Sequence, residues 1–346
     1  MKPKVVVFDM DETLGNFSQF SIFGHVLEEY FNKPDIMYHY FNDLVDLYPE
    51  MIRPNMVRIL DYIRKKKNAG ICNKVMIYTN NVGPDKWVKH IRQYFENKLR
   101  ALSGSSSATK GGLAITPPLF DHTIGGFKSN HGGGGGGGGG ASTSSTYPQR
   151  TTNHKTVNEF IRCGRLPSDI EICFLDDVEH PKMVDERVYY IKLQPYYSHI
   201  PFDLFVVRFL NSALYHDVFD KFHAPSILND ATTKSVAKKE IIDLFVKYAN
   251  MAKYDIKENH RKLNPREIDE IISKYILYHL QQFFRDGPPQ PIHPLRSPSN
   301  KKRGVKTSKK NGNARSASSK PATGYIFQVD KHTAVKNMKN KTMRNR

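Results

Sequence analysis

Apolar positions along this 346-residue chain fall into two kinds of run. Short, mainly apolar blocks at 5–8, 75–78, 170–175 and 188–193 are rich in β-branched and aromatic residues, and the first is unbroken. They read as strands covered on both faces. Longer stretches show helical spacing. Met56, Ile59, Leu60 and Ile63 recur at i, i+3, i+4 and i+7 just after Pro54, which predicts a helix over 55–67. Residues 85–99 and 156–162 read the same way, and 15–50, rich in Phe, Tyr and His, reads as mainly helical. Residues 201–285 form a further helical segment. In it Asn264-Pro265-Arg266-Glu267 reads as a helix start, with Pro265 at the first helical position and Glu267 at the third. Strands that alternate with helices predict an α/β fold around a mainly parallel sheet.

Two segments break the alternation. Residues 103–149 are rich in Ser, Thr and Gly, with an unbroken Gly132–Gly140 run, and cannot bury a core. Strand signals resume after them, so they read as an insert within the domain. From Gly287 onward the chain is basic and Pro/Ser-rich. Fifteen Lys and Arg stand there against one acidic residue, Asp330, so most of the formal net charge of +18 belongs to this tail. The expected organisation is an α/β domain over 1–200, a helical extension over 201–286 and a disordered basic tail over 287–346.

The cysteines, Cys72, Cys163 and Cys173, match no zinc spacing, and Cys173 lies in an apolar run. The first residues show no signal-peptide pattern, and no apolar stretch is long enough to span a bilayer. The expectation is a soluble intracellular protein, nuclear or cytoplasmic, with no membrane partner.

Candidate chemistry gathers at strand ends, where open parallel sheets collect reactive groups. Asp9-Met10-Asp11-Glu12-Thr13 follows the first strand. A carboxylate there can attack phosphorus, and a second can protonate the leaving oxygen and then activate water. Thr79 follows the second strand, and a hydroxyl there can bond a phosphoryl oxygen. Lys155 opens the helix before the third strand and can balance phosphoryl charge. Asp176-Asp177 ends the third strand, and acids there could join Asp9 around a hard divalent cation such as Mg²⁺. Each feature alone has a plain alternative as a turn, a helix cap or a solvated side chain.

Taken in order, these motifs resemble the haloacid dehalogenase (HAD) superfamily of phosphohydrolases, whose first motif is D-x-D-x-T after a strand. Within it the chain is most similar to the Fcp/Scp-type, NLI-interacting-factor-like phosphatases that act on the C-terminal domain of RNA polymerase II. Asp9-Met10-Asp11-Glu12-Thr13-Leu14 stands where that group has D-L-D-E-T-L, and Arg53-Pro54-Asn55 where it has R-P-G. Tyr78-Thr79-Asn80-Asn81 stands at its strand ending in T-A-S. Lys155 and Phe174-Leu175-Asp176-Asp177 match its later lysine and its strand ending in D-D or D-N. The resemblance covers roughly residues 1–195 without the insert and implies a Rossmann-like HAD sheet. It implies Asp9 as nucleophile and Asp11 as general acid/base, with Thr79, Asn80 and Lys155 binding the phosphoryl group. Mg²⁺ would be held by Asp9, the Asp11 backbone carbonyl, and Asp176 or Asp177, with Asp177 favoured because the second position ligates in D-N relatives.

The expected activity is a Mg²⁺-dependent phosphatase acting on phosphoserine or phosphothreonine in a protein. Two other readings stand beside it. One is a small-molecule or polynucleotide-end phosphatase of the same chemistry. The other is a catalytically idle protein that holds nucleic acid through its tail. The cluster Lys301-Lys302-Arg303 with Lys306, Lys309 and Lys310 can be read as a nuclear import signal, a nonspecific nucleic-acid contact or a solvated tail.

Overall fold

The structure, a computed structural model, describes residues 2–83, 85–103, 117–128, 147–222, 231–255, 257–258, 262–289 and 324–331. The strands are β1 (Lys4–Phe8), β2 (Lys74–Tyr78), β3 (His122–Ile124), β4 (Glu171–Asp176), β5 (Val188–Leu193) and β6 (Tyr325–Val329). They form one sheet, every pair parallel, in the order β3-β2-β1-β4-β5-β6. The chain therefore builds outward from β1 in one direction and from β4 in the other. Between β1 and β4 the connections diverge and leave a crevice at the carboxyl ends, as in Rossmann-like sheets.

Side chains alternate along each strand and divide the core in two. Val6 and Phe8 of β1, Val75 and Ile77 of β2, and Cys173 and Leu175 of β4 face one side. Val5 and Val7, Met76 and Tyr78, and Ile172 and Phe174 face the other. Both sides are buried, which explains the mainly apolar runs. The second side is covered by α6 (Val157–Gly164) through Val157, Phe160 and Cys163. Thr156 caps this helix by accepting from the Glu159 amide.

The first side carries a thick helical layer. It comprises α1 (Ser18–Tyr30), α2 (Ile36–His39), α3 (Phe41–Leu47), α4 (Met56–Asn68), α5 (Asp85–Leu102), α7 (Phe202–Leu210), α8 (Ala213–Phe222), α9 (Ala231–Met251) and α10 (Arg266–Asp286). The described residues of 201–286 are built into this layer and share one apolar cluster with the sheet. Phe23 of α1 meets Phe205 and Phe209 of α7 and Phe245 of α9, with ring centroids 4.8, 5.2 and 5.5 Å apart. The fully buried Gln19 donates to the Ile200 carbonyl and accepts from its amide, so the polar group carries no unmet hydrogen bond.

Three expectations change. The 287–346 tail is not wholly disordered, because it contains β6. Tyr325–Val329 reads Tyr-Ile-Phe-Gln-Val, with Gln328 its one plainly polar residue, and extends the sheet beyond β5. Val329 is buried, and Phe327 stacks on Tyr189 with centroids 4.4 Å apart. The basic cluster 301–310 and the Gly132–Gly140 run lie outside the described residues. Second, the insert contains structure, since Leu119 and Phe120 are buried and β3 pairs with β2. Third, α10 starts one residue later than the sequence suggests. Pro265 occupies the cap position, and the Asn264 amide donates to Asp269 instead of capping the helix. All three cysteines are free and buried, and among the described residues no helix is long and apolar enough to cross a membrane.

Candidate active site

The site is made by register. Phe8 pairs with Leu175, and the Asp9 amide donates to the Leu175 carbonyl at 2.8 Å. Asp9 and the last residue of β4, Asp176, are thereby held side by side at the crevice. Beyond Asp9 the chain turns sharply. Met10 and Leu14 are fully buried and anchor the turn, Glu12 adopts a left-handed conformation (φ 57°), and the Leu14 amide returns to the Met10 carbonyl. Gly15 is required here, because a Cβ would stand 2.3 Å from the Met51 carbonyl oxygen. The buried Arg53 guanidinium then ties three carbonyls together: Glu12 at 2.6 Å, Thr13 at 2.8 Å and Gln194 at 2.9 Å. This clamp fixes the turn that carries Asp11 and Thr13.

Lys155 is the hub of the cluster. It is 2 % exposed, and its Nζ lies 2.7 Å from Asp9 Oδ1 and 2.7 Å from Asp176 Oδ2. Asp176 also accepts from the Val178 amide at 2.8 Å, and His180 Nε2 lies 3.3 Å from its Oδ2. Asp177 accepts from the Thr13 hydroxyl at 3.0 Å. Lys192 Nζ holds the Asp177 carbonyl at 2.5 Å. Asp9, Asp176 and Asp177 are all buried, and each offers a carboxylate oxygen within 4.8 Å of the others.

The second-strand residues lie alongside. Thr79 is buried, and its Oγ1 accepts from the Asn81 amide at 3.0 Å, which leaves the hydroxyl proton for an acceptor. Asn80 is exposed, and its side-chain oxygen is taken by Arg150 at 2.8 Å. Asn81 instead reaches the acid pair, with Nδ2 donating to Asp11 Oδ2 at 3.0 Å. Arg150 binds the carbonyls of Thr79, Thr152 and Asn153, and its guanidinium lies 4.9 Å from the Tyr78 ring. It couples the turn after β2 to the segment that presents Lys155. Thr13, Arg53, Asn81, Arg150 and His180 thus join the site beyond the residues singled out by sequence. Thr13 and Arg53 lie inside quoted motifs. Arg150 ends a low-complexity tract and carries no such signal.

Electrostatics follow from burial. Burial raises the Asp9 carboxyl, and Asp176 and Asp11 add to this against the pull of Lys155. Asp177 is pushed up to about 6 by burial and by its neighbours Asp9 and Asp176. Asp11 is raised by burial, with the Asn81 hydrogen bond opposing. Burial also acts against charge on Asp176, but His180 and Lys155 hold it below the usual carboxylate range. Lys155 is held above the ordinary lysine range by Asp9 and Asp176 despite its burial. The cluster carries more carboxylates than Lys155 can neutralise, and the three aspartates could hold a metal ion.

A pH-dependent response to cations follows. The folded-state values of Asp9 and Asp177 lie above their unfolded values. Their contribution to stability is therefore complete below the unfolded value and is lost as pH rises through the folded values. A divalent cation held by these aspartates would replace those protons, so its effect would grow with pH. At ten times its Kd it should stabilise by about 1.4 kcal/mol near pH 8, a melting-point rise of roughly 2–5 °C. The rise should shrink toward zero near pH 5. Thermal melts with and without Mg²⁺ across this range check it, and a shift independent of pH would contradict it.

A cavity of about 810 Å³ opens beside the cluster. Asp11 and Asn81 line it at the end nearest the aspartate cluster, and α1, α5 and the end of α9 wall it. Compared with protein-family models, curated proteins and solved structures, the chain finds no match.

Proposed function

We propose that the chain is a Mg²⁺-dependent phosphatase of the HAD type that works through a phosphoryl group carried on Asp9. One observation carries the reading: a buried carboxylate held by a buried lysine, beside two further aspartates, at the carboxyl ends of adjacent parallel strands. The donor set fits a hard cation, since it is all oxygen, buried and rich in unneutralised carboxylate. Asp9 and Asp177 would supply side-chain ligands and Asp11 its carbonyl. Both oxygens of Asp176 are already engaged by Lys155, His180 and the Val178 amide. That supports Asp177 as the direct ligand. Bound there, Mg²⁺ would draw charge from the phosphoryl oxygens.

The residues divide the work. An Asp9 carboxylate oxygen forms a bond to phosphorus as the bond from phosphorus to the ester oxygen breaks. The leaving oxygen keeps that electron pair and takes the proton of the Asp11 carboxyl, which burial favours in its protonated form. Lys155 and the Thr79 hydroxyl balance the phosphoryl charge. Asp11, now ionised, takes a proton from water as that water attacks phosphorus. The bond to Asp9 breaks, inorganic phosphate leaves, and both carboxyls return to their starting states. Asn81 orients Asp11 for both transfers.

The resemblance favours a phosphoserine or phosphothreonine protein as substrate. The cavity beside Asp11 favours the other reading, a small phosphomonoester, because its volume and partly apolar lining are those of a small-molecule site. Phosphate release from phenyl phosphate tests the chemistry itself. Turnover should require Mg²⁺ and fall at least about 100-fold with excess chelator. Undiminished turnover in chelator would contradict the metal assignment.

A further inference from the structure

The cavity occupies a particular place in the proposed chemistry. Asp11 gives its proton to the oxygen that departs with the alcohol, so the alcohol must lie on the Asp11 side of phosphorus. Asp11 and Asn81 form the catalytic end of the cavity. Its space is therefore where the departing alcohol sits. About 810 Å³ is the size of site that holds a drug-sized ligand.

The lining says which alcohol. Phe17, Ile22 and Trp87 form an apolar wall and are themselves packed in the core. Also in the lining, His25 of α1 and Tyr248 of α9 stack on each other, with centroids 5.6 Å apart and planes 24° from parallel, and Tyr254 completes the aromatic set. Flat aromatic faces and apolar walls suit a flat ring. The charged residues at the rim, Lys253 and Lys262 with Asp255 and Glu258, balance in sign, and Lys262 pairs with Glu258 at 2.7 Å. Nothing in that balance selects a second phosphate. A peptide fits poorly for a geometric reason. Phosphoserine has one carbon between its ester oxygen and the main chain. Its backbone would have to enter a space walled by α1, α5 and α9, whereas a small alcohol enters end-on.

We propose that this cavity is the leaving-group pocket, and that it takes the ring-bearing alcohol of a small phosphomonoester, as in a nucleoside monophosphate or an aryl phosphate. The inference rests on the phosphatase reading above and names the substrate class of the same site.

The test uses the full chain with Mg²⁺. The panel holds a nucleoside monophosphate, phenyl phosphate, glycerol 3-phosphate, a phosphoserine peptide and acetyl phosphate as a compact ringless reference. The ring-bearing small esters should exceed glycerol 3-phosphate and the peptide in kcat/KM by about tenfold or more. The ratio between nucleotide and phenyl phosphate then separates the two ring sources. Ser21→Phe puts a side chain into the cavity from α1, away from the residues that handle phosphorus. It should raise KM for the ring-bearing esters about tenfold and leave acetyl phosphate turnover within about twofold. Ala252→Trp, at an exposed lining position, fills the cavity from the other side and guards against misfolding of the first variant. If the peptide or glycerol 3-phosphate is preferred, the pocket assignment is overturned and the phosphatase reading stands. The same holds if both filling variants leave every KM unchanged while acetyl phosphate is hydrolysed. Failure of the folded protein to hydrolyse any ester of the panel or the acyl phosphate, acetyl phosphate, overturns both.

Discussion

Asp9→Asn is expected to lower Mg²⁺-dependent phosphate release on the order of 10³-fold or more, because the attacking atom is gone. Asn keeps the shape of the side chain, and its oxygen can still accept from Lys155. The substitution also removes one of several crowded carboxylates whose mutual repulsion raises their pKa values. The cation-free variant should therefore melt at or above the wild-type temperature, so lost activity cannot be blamed on lost fold. Its melting-point gain with Mg²⁺ should be smaller than that of the wild type, since one ligand oxygen has lost its charge. Phosphate release and thermal melts on the same preparations check both. Wild-type turnover by a folded Asp9→Asn protein would remove the nucleophile assignment.

Lys155→Met is expected to be the costliest single change for stability. The methionine fills similar volume, but Asp9 loses the cation 2.7 Å from its oxygen, and Asp176 keeps only His180 and the Val178 amide. Removing one member of a buried ion pair costs roughly 3–5 kcal/mol, because it leaves an uncompensated buried charge. The loss should depend on pH with a definite sign. Without Lys155, the folded-state pKa of Asp9 rises further above its unfolded value. The Asp9 share of the cost is then small where Asp9 is protonated and grows as pH rises above the wild-type folded value, while the Asp176 share is present at both ends because that carboxyl stays ionised. Mg²⁺ should restore part of the loss at pH 8 and little at pH 5.5. Urea unfolding at the two pH values with and without Mg²⁺ measures this. A variant as stable as wild type at pH 8 without cation would show that Lys155 is not the partner on which the cluster depends.

The parts of the fold legible in sequence are those where pattern and chemistry coincide. Strands β1, β2, β4 and β5 announce themselves because both faces are buried, so the runs 5–8, 75–78, 170–175 and 188–193 are mainly apolar, with Glu171 at the start of β4 and Lys192 near the end of β5 as their polar exceptions. Asp9, Thr79 and Asp176 are legible because each stands at the end of such a run. Strands β3 and β6 are not, because three and five residues lie inside tracts whose Gly/Ser or basic composition dominates any window. Phe327 looks isolated along the chain and gains its partner, Tyr189, only through pairing with β5. Arg53 is visible beside Pro54, but its task is to bind main-chain carbonyls, which carry no residue identity. Asn80 and Asn81 are alike by sequence, and the turn after β2 gives one to Arg150 and the other to Asp11. Residues 201–286 show no motif because their apolar faces are complementary to α1 and to Tyr48, a match formed only on folding. The cavity depends on that same match, so substrate size was out of reach before the helices were in place.

The central claim is a phosphoryl group carried on Asp9, and trapping tests it most directly. Enzyme turning over phenyl phosphate with Mg²⁺ would be acid-quenched and treated with borohydride, which reduces an acyl phosphate to an alcohol. The digested peptide spanning the first strand would then be sequenced by mass spectrometry. The account predicts homoserine in place of Asp9, present only when both phosphoester and Mg²⁺ are supplied and absent from Asp9→Asn. Sustained Mg²⁺-dependent turnover with Asp9 recovered unmodified, or with the reduced residue at another position, would contradict it.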